Sequence, residues 1–272
     1  MIQRQLVLSD IDGTLINDQH ELPERVIAAV QEYSAAGGHF VLASARPALG
    51  MTALADKLQI DLPLVTLNGG LIVQTHRADN SFTTLYEQPL PDHAAATIYD
   101  LIHAQQLPVS INVHVNTHWY VDQHEYWSNQ EAAILNFQPE ITDLNALVHG
   151  NRPVHKILCM ADPDVIDQLD ALLRRQDNLD LSVSRSKLTY LEITARGVSK
   201  QSALRHLASM LNVPLANTMA IGDGENDLPM MQAAGLAVAM GNALPAVAAA
   251  IPTKVASNND AGVAEALRKY AM

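Results

Sequence analysis

Between Leu6 and Leu15 the chain reads Leu-Val-Leu-Ser-Asp-Ile-Asp-Gly-Thr-Leu, an apolar strand-forming run that ends in two carboxylates and then a glycine. The run predicts a buried strand, and Gly13 predicts a turn after it, because glycine takes backbone angles closed to other residues. Side chains alternate along an extended chain, so Asp10 and Asp12 project to one side while Ile11 packs on the other. Two acids on one face repel each other unless a cation or a shared proton intervenes, and a divalent metal is the simplest remedy. Three other readings of the stretch compete with this one. A Ca²⁺ loop wants its glycine at the sixth position of a longer Asp/Asn series, whereas Gly13 comes fourth. A metal-chelating Asp-x-Asp of a nucleotide-sugar transferase would want a basic or dinucleotide-binding cradle, and none is visible nearby. An exposed polar turn is the third, and later residues decide among them.

With 272 residues, 48% of them hydrophobic, the chain is long enough for one large domain or a core with an inserted second domain. Aromatic residues are only 4%, so the core has to be aliphatic and Ala-rich. Lys and Arg number 17 against 29 Asp and Glu, a net charge of -12 without a basic run, which argues against nucleic acid or an anionic membrane as partner. Phosphate can still bind an acidic protein where a few cations and backbone amides focus in one cleft. The single Cys159 lies in an apolar run and reads as core filler in a reducing compartment. No basic-then-apolar leader opens the chain, and no apolar run reaches about 18 residues, so a cytoplasmic protein is expected, a monomer or small homo-oligomer.

Strand and helix signals alternate through the first third. Pro23 opens a helix carrying Val26, Val30 and Tyr33 at helical spacing, and Gly37-Gly38 ends it. His39 to Ala43 is a continuous apolar strand running into Ser44-Ala45-Arg46-Pro47; a helix near Leu49 to Leu58 and a strand at Leu64 to Leu67 follow, the latter ending in Asn68-Gly69-Gly70. This rhythm predicts a parallel sheet with crossover helices, with polar residues gathered at the strands' carboxyl ends, where open α/β sheets bind ligands. From about Ser81 the pattern becomes α+β: a helix from Pro91 to about Gln105, a hairpin of Val109 to Val115 with Trp119 to Val121, a strand at Lys156 to Met160, a helix from Asp164 to Arg174, and strands near Leu181 to Ser184 and Leu188 to Ile193. Strict alternation then resumes with a helix over Ser199 to Leu211, a strand at Thr218 to Ile221, a short helix at Leu228 to Ala234, a strand at Leu236 to Ala239 and a terminal helix at Ala264 to Tyr270. The expected organisation is therefore a core of residues 1–82 and 195–272 interrupted by an inserted domain of residues 83–194.

Four polar clusters fall at strand ends or helix starts: Asp10/Asp12, Ser44/Arg46, Lys200 and Asp223/Asn226/Asp227. They fit one division of labour. If Asp10 attacks phosphorus, the charges of acid and phosphate must be offset, which Mg²⁺ held by oxygen ligands does. Asp223 is the natural third carboxylate for that metal. Lys200 supplies a fixed positive charge beside the phosphoryl group, and Ser44 with neighbouring amides donates hydrogen bonds to its oxygens. Asp12 protonates the leaving oxygen and later takes a proton from the hydrolytic water.

These residues resemble the haloacid dehalogenase superfamily of phosphatases, and within it the Cof-type subfamily, in which a large cap lies between the second and third motifs. Asp10-Ile11-Asp12-Gly13-Thr14-Leu15 is similar to the first motif, Ser44 falls where the second has Thr or Ser, Gly197-Val198-Ser199-Lys200 looks like the third, and Gly222-Asp223-Gly224-Glu225-Asn226-Asp227 with Met230 resembles the fourth. The resemblance covers the whole chain and implies a Rossmann-like parallel-sheet core with an inserted α+β cap. It implies Asp10 as nucleophile, Asp12 as acid/base and as a Mg²⁺ ligand through its backbone carbonyl, and Lys200 as the phosphate clamp. It further implies Asp223 as metal ligand, Asn226 as a phosphate contact, Asp227 as a supporting carboxylate and Arg46, matching an arginine often found just after the second motif, as a substrate or phosphate contact. Asn68, at a strand's carboxyl end, is a further candidate. Two positions depart from the family pattern: Gln201 stands where Gly usually follows the lysine, and Ala261 where an acidic residue is common.

The function implied is Mg²⁺-dependent hydrolysis of small phosphorylated metabolites, such as sugar phosphates or phosphorylated cofactors including pyridoxal phosphate and flavin mononucleotide. A phosphomutase using the same two aspartates and a non-catalytic phosphometabolite-binding regulator are the alternatives. Elsewhere, His114, His118 and His124 are spread along a hairpin and read as solvated more readily than as a metal site. Trp119, Tyr120 and Trp127 read as cap core in preference to a wall over a substrate, and the nine Met residues as packing filler.

Overall fold

In the computed structural model, which describes residues 2–176 and 179–272, the opening apolar run forms β1 (Leu6–Ser9), all four residues fully buried. The chain continues through α1 (Glu24–Ala35), β2 (His39–Ala43), α2 (Thr52–Leu58), β3 (Pro63–Thr66), β4 (Leu71–His76) and β5 (Ser81–Glu87). Next come α3 (Ala94–Ala104), β6 (Ser110–Val115), β7 (His118–Val121), α4 (Tyr126–Leu135), β8 (Glu140–Ile141), α5 (Leu144–Val148), β9 (Lys156–Met160), α6 (Pro163–Leu173), β10 (Leu181–Lys187) and β11 (Tyr190–Ala195). The last third holds α7 (Lys200–Met210), β12 (Thr218–Gly222), α8 (Leu228–Ala233), β13 (Leu236–Ala239), α9 (Pro245–Ala250) and α10 (Gly262–Ala266). Among the described residues no helix is long and apolar enough to cross a membrane.

The chain divides into two compact units. One holds the residues up to Ala45 together with Met51–Leu85 and Ser199–Met272; the other holds Arg46–Gly50 and Tyr86–Val198. The segment Arg46–Gly50, which the sequence pattern leaves in the first unit, groups with the second.

The first unit is built on a seven-stranded sheet in the order β13-β12-β1-β2-β3-β4-β5. Neighbours are parallel from β13 to β3, and β4 then turns back antiparallel on β3. Central strands with helices on both faces have no solvent side, which is why β1, β2 and β12 read as continuous apolar runs without alternation. Helix α1 buries Val26, Ala29, Val30 and Tyr33, the spacing of one helical face, and each large side chain so buried is worth about 1.5–3 kcal/mol. Strand β1 is the switch point of the topology, because the chain leaves it for β2 on one side and returns through β12 on the other. Ligands of open α/β sheets bind beyond the carboxyl ends of the strands at such a point.

The second unit carries a six-stranded sheet, β10-β11-β9-β6-β7-β8, antiparallel except for the β7/β8 pair. Ile111, Val113, Val115, Ile157, Cys159, Leu191 and Ile193 line one face and pack with apolar side chains of α3, α5 and α6, so the free thiol of Cys159 is core. Alternation along the strands puts Ser110, Asn112, His114, Lys156, Glu192 and Thr194 on the opposite face, and all six are buried. They are satisfied in part by one another: Lys156 Nζ lies 2.8 Å from Glu192 Oε2, and Trp119 Nε1 donates to Asn112 Oδ1 at 2.9 Å.

His114 corrects an expectation, since it is buried where a solvated hairpin residue is expected; its strand is interior and its position on the pleat leaves no route to water. His118 and His124 are exposed or nearly so. Trp119 is fully buried and packs with Val121, Ala132 and Leu135, and Trp127 packs against Leu158, Met160 and Tyr190. Helix α4 and strands β4 and β5 were not legible in the sequence pattern. The buried positions of α4, Ser128, Ala132 and Leu135, make no apolar stripe.

Candidate active site

The site is assembled at the carboxyl ends of β12, β1, β2 and β3, four adjacent strands of the first unit. Asp10 follows β1 directly, and its N–H donates to Ile221 O at 3.0 Å, which fixes the end of β1 against the end of β12. The chain then turns through Gly13 at φ +77°, in the left-handed region. A Cβ at that position would lie 2.4 Å from Asp223 Oδ2, so both the turn and the close approach require glycine. Thr14, buried beside it, donates from Oγ1 to Asp223 Oδ1 at 2.6 Å.

Lys200 is the first residue of α7. Ser199 caps that helix, its Oγ accepting from Ser202 N–H at 3.0 Å. The positive end of a helix dipole disfavours an ammonium group there. Two carboxylates offset this: Lys200 Nζ donates to Asp10 Oδ1 in a short contact and to Asp227 Oδ1 at 2.8 Å. Asp227 in turn accepts the backbone N–H groups of Asp223 and Gly224 on Oδ2, at 3.1 and 3.0 Å, so each of its oxygens has a partner. These bonds close the turn after β12 tightly enough that a Cβ on Gly222 would lie 2.5 Å from the Asp227 side chain.

Carboxylate oxygens of Asp10, Asp223 and Asp227 lie within 4.8 Å of one another. Burial pushes the Asp10 carboxyl up to about 7; Lys200 opposes that shift, and Asp227 and Asp223 add to it. Asp223 is raised by burial as well, against the hydrogen bond from Thr14. For Lys200, burial works to lower the ammonium, but Asp10 and Asp227 together outweigh it and the group stands above its ordinary range. Three acids and one lysine leave an excess of negative charge, and the donor set is oxygen only, which suits a hard divalent cation such as Mg²⁺. Asp10 and Asp223 are the residues that can hold it through side chains, while Asp227 is engaged with Lys200 and two amides.

The other candidates lie as follows. Asp12 is exposed on the turn beside Asp10, outside the group of three carboxylates. Ser44 is buried after β2, its carbonyl accepting Asn68 N–H at 3.0 Å, and Asn68 sits half-buried in the left-handed region after β3. Asn226 is exposed between Asp223 and Asp227, and Arg46 belongs to the second unit. Sequence reasoning missed Thr14 as a partner of Asp223, and Asn242, whose Nδ2 donates to Gly13 O at 2.7 Å. Asn242 follows β13, so a search of every strand's carboxyl end would have found it.

The chain is similar to known proteins along nearly its whole length. A profile described as haloacid dehalogenase-like hydrolase matches residues 7–267. The chain is 28% identical over 268 residues to the 5-amino-6-(5-phospho-D-ribitylamino)uracil phosphatase YcsE of Bacillus subtilis, covering 98% of this chain and 96% of that protein. It is 29% identical over 246 residues to the HMP-PP phosphatase of Cronobacter sakazakii, covering 89% and 86%. Among solved structures, a haloacid dehalogenase-like hydrolase from Bacteroides thetaiotaomicron superposes with a TM-score of 0.85 at 29% identity, covering 98% of this chain and 99% of its own.

Proposed function

The chain belongs to the haloacid dehalogenase-like hydrolases, and from that premise we propose that it is a Mg²⁺-dependent phosphatase of small phosphorylated metabolites working through an aspartyl-phosphate on Asp10. The observation that carries this reading is the buried Asp10 carboxylate, held by Lys200 at the switch point of the sheet with Asp223 and Asp227 beside it. An Asp10 oxygen attacks phosphorus, the bond from phosphorus to the leaving oxygen breaks, and Asp12 gives that oxygen its proton. A water then attacks the acyl-phosphate phosphorus, Asp12 takes the water's proton, and Asp10 is released as carboxylate with inorganic phosphate. Lys200 stays protonated throughout, orients Asp10 and offsets charge on the phosphoryl group. Ser44 is the donor proposed for a phosphoryl oxygen.

When bound by Asp10, Asp223 and the Asp12 carbonyl, Mg²⁺ supplies charge neutralisation between nucleophile and phosphate. Asp227 supports the site by holding Lys200 and the turn that carries Asp223. Arg46 and Asn226 are proposed substrate or phosphate contacts from their motif positions, and Asn68 is proposed to support the site from the carboxyl end of β3. The second unit is proposed as the substrate-selecting cap. Relatives named for a phosphoribitylamino-uracil and for HMP-PP support small phosphorylated metabolites as the substrate class.

The test is phosphate release from a panel of sugar phosphates and phosphorylated cofactors, with Mg²⁺ and with chelator. Mg²⁺-dependent release that Asp10→Asn abolishes, with the variant still folded, is the expected outcome. Substantial residual turnover by Asp10→Asn sinks the aspartyl-phosphate route. Absence of release from every compound, with isomer formed from a sugar phosphate, moves the assignment to a phosphomutase.

A further inference from the structure

Two asparagines hold the turn after β1 from outside. Asn242, on the turn that follows β13, donates from Nδ2 to Gly13 O at 2.7 Å and accepts Asn258 N–H on Oδ1 at 2.9 Å. Both ends of its amide are thus used, and a flipped amide would set oxygen against oxygen at Gly13. Asn258, buried, donates from Nδ2 to Ile16 O and to Asp18 Oδ1, each at 3.0 Å. The same turn also reaches the other half of the site, because Leu244 N–H donates to Asp223 O at 2.9 Å. One short segment therefore touches Gly13 through a side chain and Asp223 through the backbone.

We propose that Asn242 is a positioning residue for the metal-carrying acids, setting the Gly13–Thr14 peptide against Asp223. The inference rests on the Mg²⁺ reading given above. Its physical basis is the lack of slack at this point. The Gly13 carbonyl belongs to the peptide that leads into Thr14, whose hydroxyl holds Asp223 Oδ1 at 2.6 Å. Gly13 itself approaches Asp223 so closely that no Cβ fits between them. Rotation of that peptide withdraws the Thr14 hydroxyl and shifts Asp12, the residue before the glycine. Asn242 is exposed and its bond to Gly13 O lies at the surface, so water replaces that bond when it is lost and the fold loses little; what is lost is the direction in which the turn is held. Partners one step removed from a metal typically affect metal affinity or activity by roughly 10- to 100-fold.

Calorimetric titration of the full chain with MgCl₂, without substrate, tests the assignment. Asn242→Ala removes both hydrogen bonds, and Asn242→Asp keeps an acceptor for Asn258 while losing the donor to Gly13. Both are expected to bind Mg²⁺ about tenfold more weakly than wild type or worse. The urea midpoint of the metal-free protein should stay unchanged for Asn242→Asp, which keeps the acceptor for Asn258 N–H, and KM at saturating Mg²⁺ should stay unchanged for both. Variants that match wild type in Mg²⁺ affinity overturn the role of Asn242 and leave the phosphatase reading intact. A metal-free unfolding midpoint that drops in both variants overturns it too, because the residue is then general scaffolding. Failure of wild type itself to bind Mg²⁺ removes the metal reading and this inference together.

Discussion

Asp227 serves three donors at once: the Lys200 ammonium on one oxygen and the amides of Asp223 and Gly224 on the other. The side chain is completely buried, so its removal leaves a buried ammonium with Asp10 alone and two amides facing a void. Breaking a buried ion pair in this way typically costs about 3–5 kcal/mol. Asp227→Ala is accordingly expected to lose stability on that scale in urea unfolding of the metal-free protein, and a loss under about 1 kcal/mol would show that the network is slack. The family resemblance implied Asp227 as a supporting carboxylate but gave no hint of how many groups depend on it. The amides of Asp223 and Gly224 are local, four and three residues back in the same turn, but Lys200 and the Asp10 it also holds come from other segments, and only the packing of the sheet brings them to this side chain.

At the scale of elements, the polar face of β6, β9 and β11 makes the second unit sensitive to acid. His114 is held well below its ordinary value of 6.5, first by burial and then by the charge of Lys156 and by His155, and its Nδ1 is buried without a hydrogen-bond partner. Lys156 pairs with it across β9, and Trp119 across β7 lies with its ring 6.1 Å away. Below about 6.5 the unfolded chain takes up a proton that the folded His114 refuses, so the unfolded state binds more protons and stability falls as pH falls. The limiting slope is about 1.4 kcal/mol per pH unit for one such proton. His155 is lowered by burial too and contributes with the same sign, although Glu87 opposes its shift. Denaturant unfolding between pH 7 and pH 5 should therefore show a shallower loss for His114→Gln than for wild type; parallel curves for the two proteins would rule the group out.

For the whole molecule, a cation that binds the folded chain and not the unfolded one adds stability by mass action. At a free Mg²⁺ concentration about 100 times Kd the gain is about 2.7 kcal/mol. Thermal melting with Mg²⁺ against chelator should show an upward shift of the midpoint that Asp223→Asn removes. A net charge of -12 makes any salt mildly stabilising by screening, so the comparison is made against NaCl at equal ionic strength. A shift of equal size in NaCl, or one retained by Asp223→Asn, would assign the effect to screening.

Much of the core was legible without coordinates, for a local reason. A strand covered on both faces must be apolar at every position, and a helix packed on a sheet must carry its apolar residues three and four apart, so β1, β2, β12, α1 and α7 announce themselves in the chain. The position of Asp10, Ser44 and Asp223 at the ends of such strands followed from the same patterns, and with it the expectation of a phosphate site. Sequence separation then sets the limit. Lys200 meets Asp10 across 190 positions and Asn242 meets Gly13 across 229, and neither residue's type or neighbours names its partner. Strand order β13-β12-β1 decides those meetings. The burial of His114 is likewise a property of where β6 lies in its sheet, since the same alternation on an edge strand would have left the ring in water. Local periodicity carries the choice of element and of buried face, whereas the pairing of polar groups depends on which elements the fold makes adjacent.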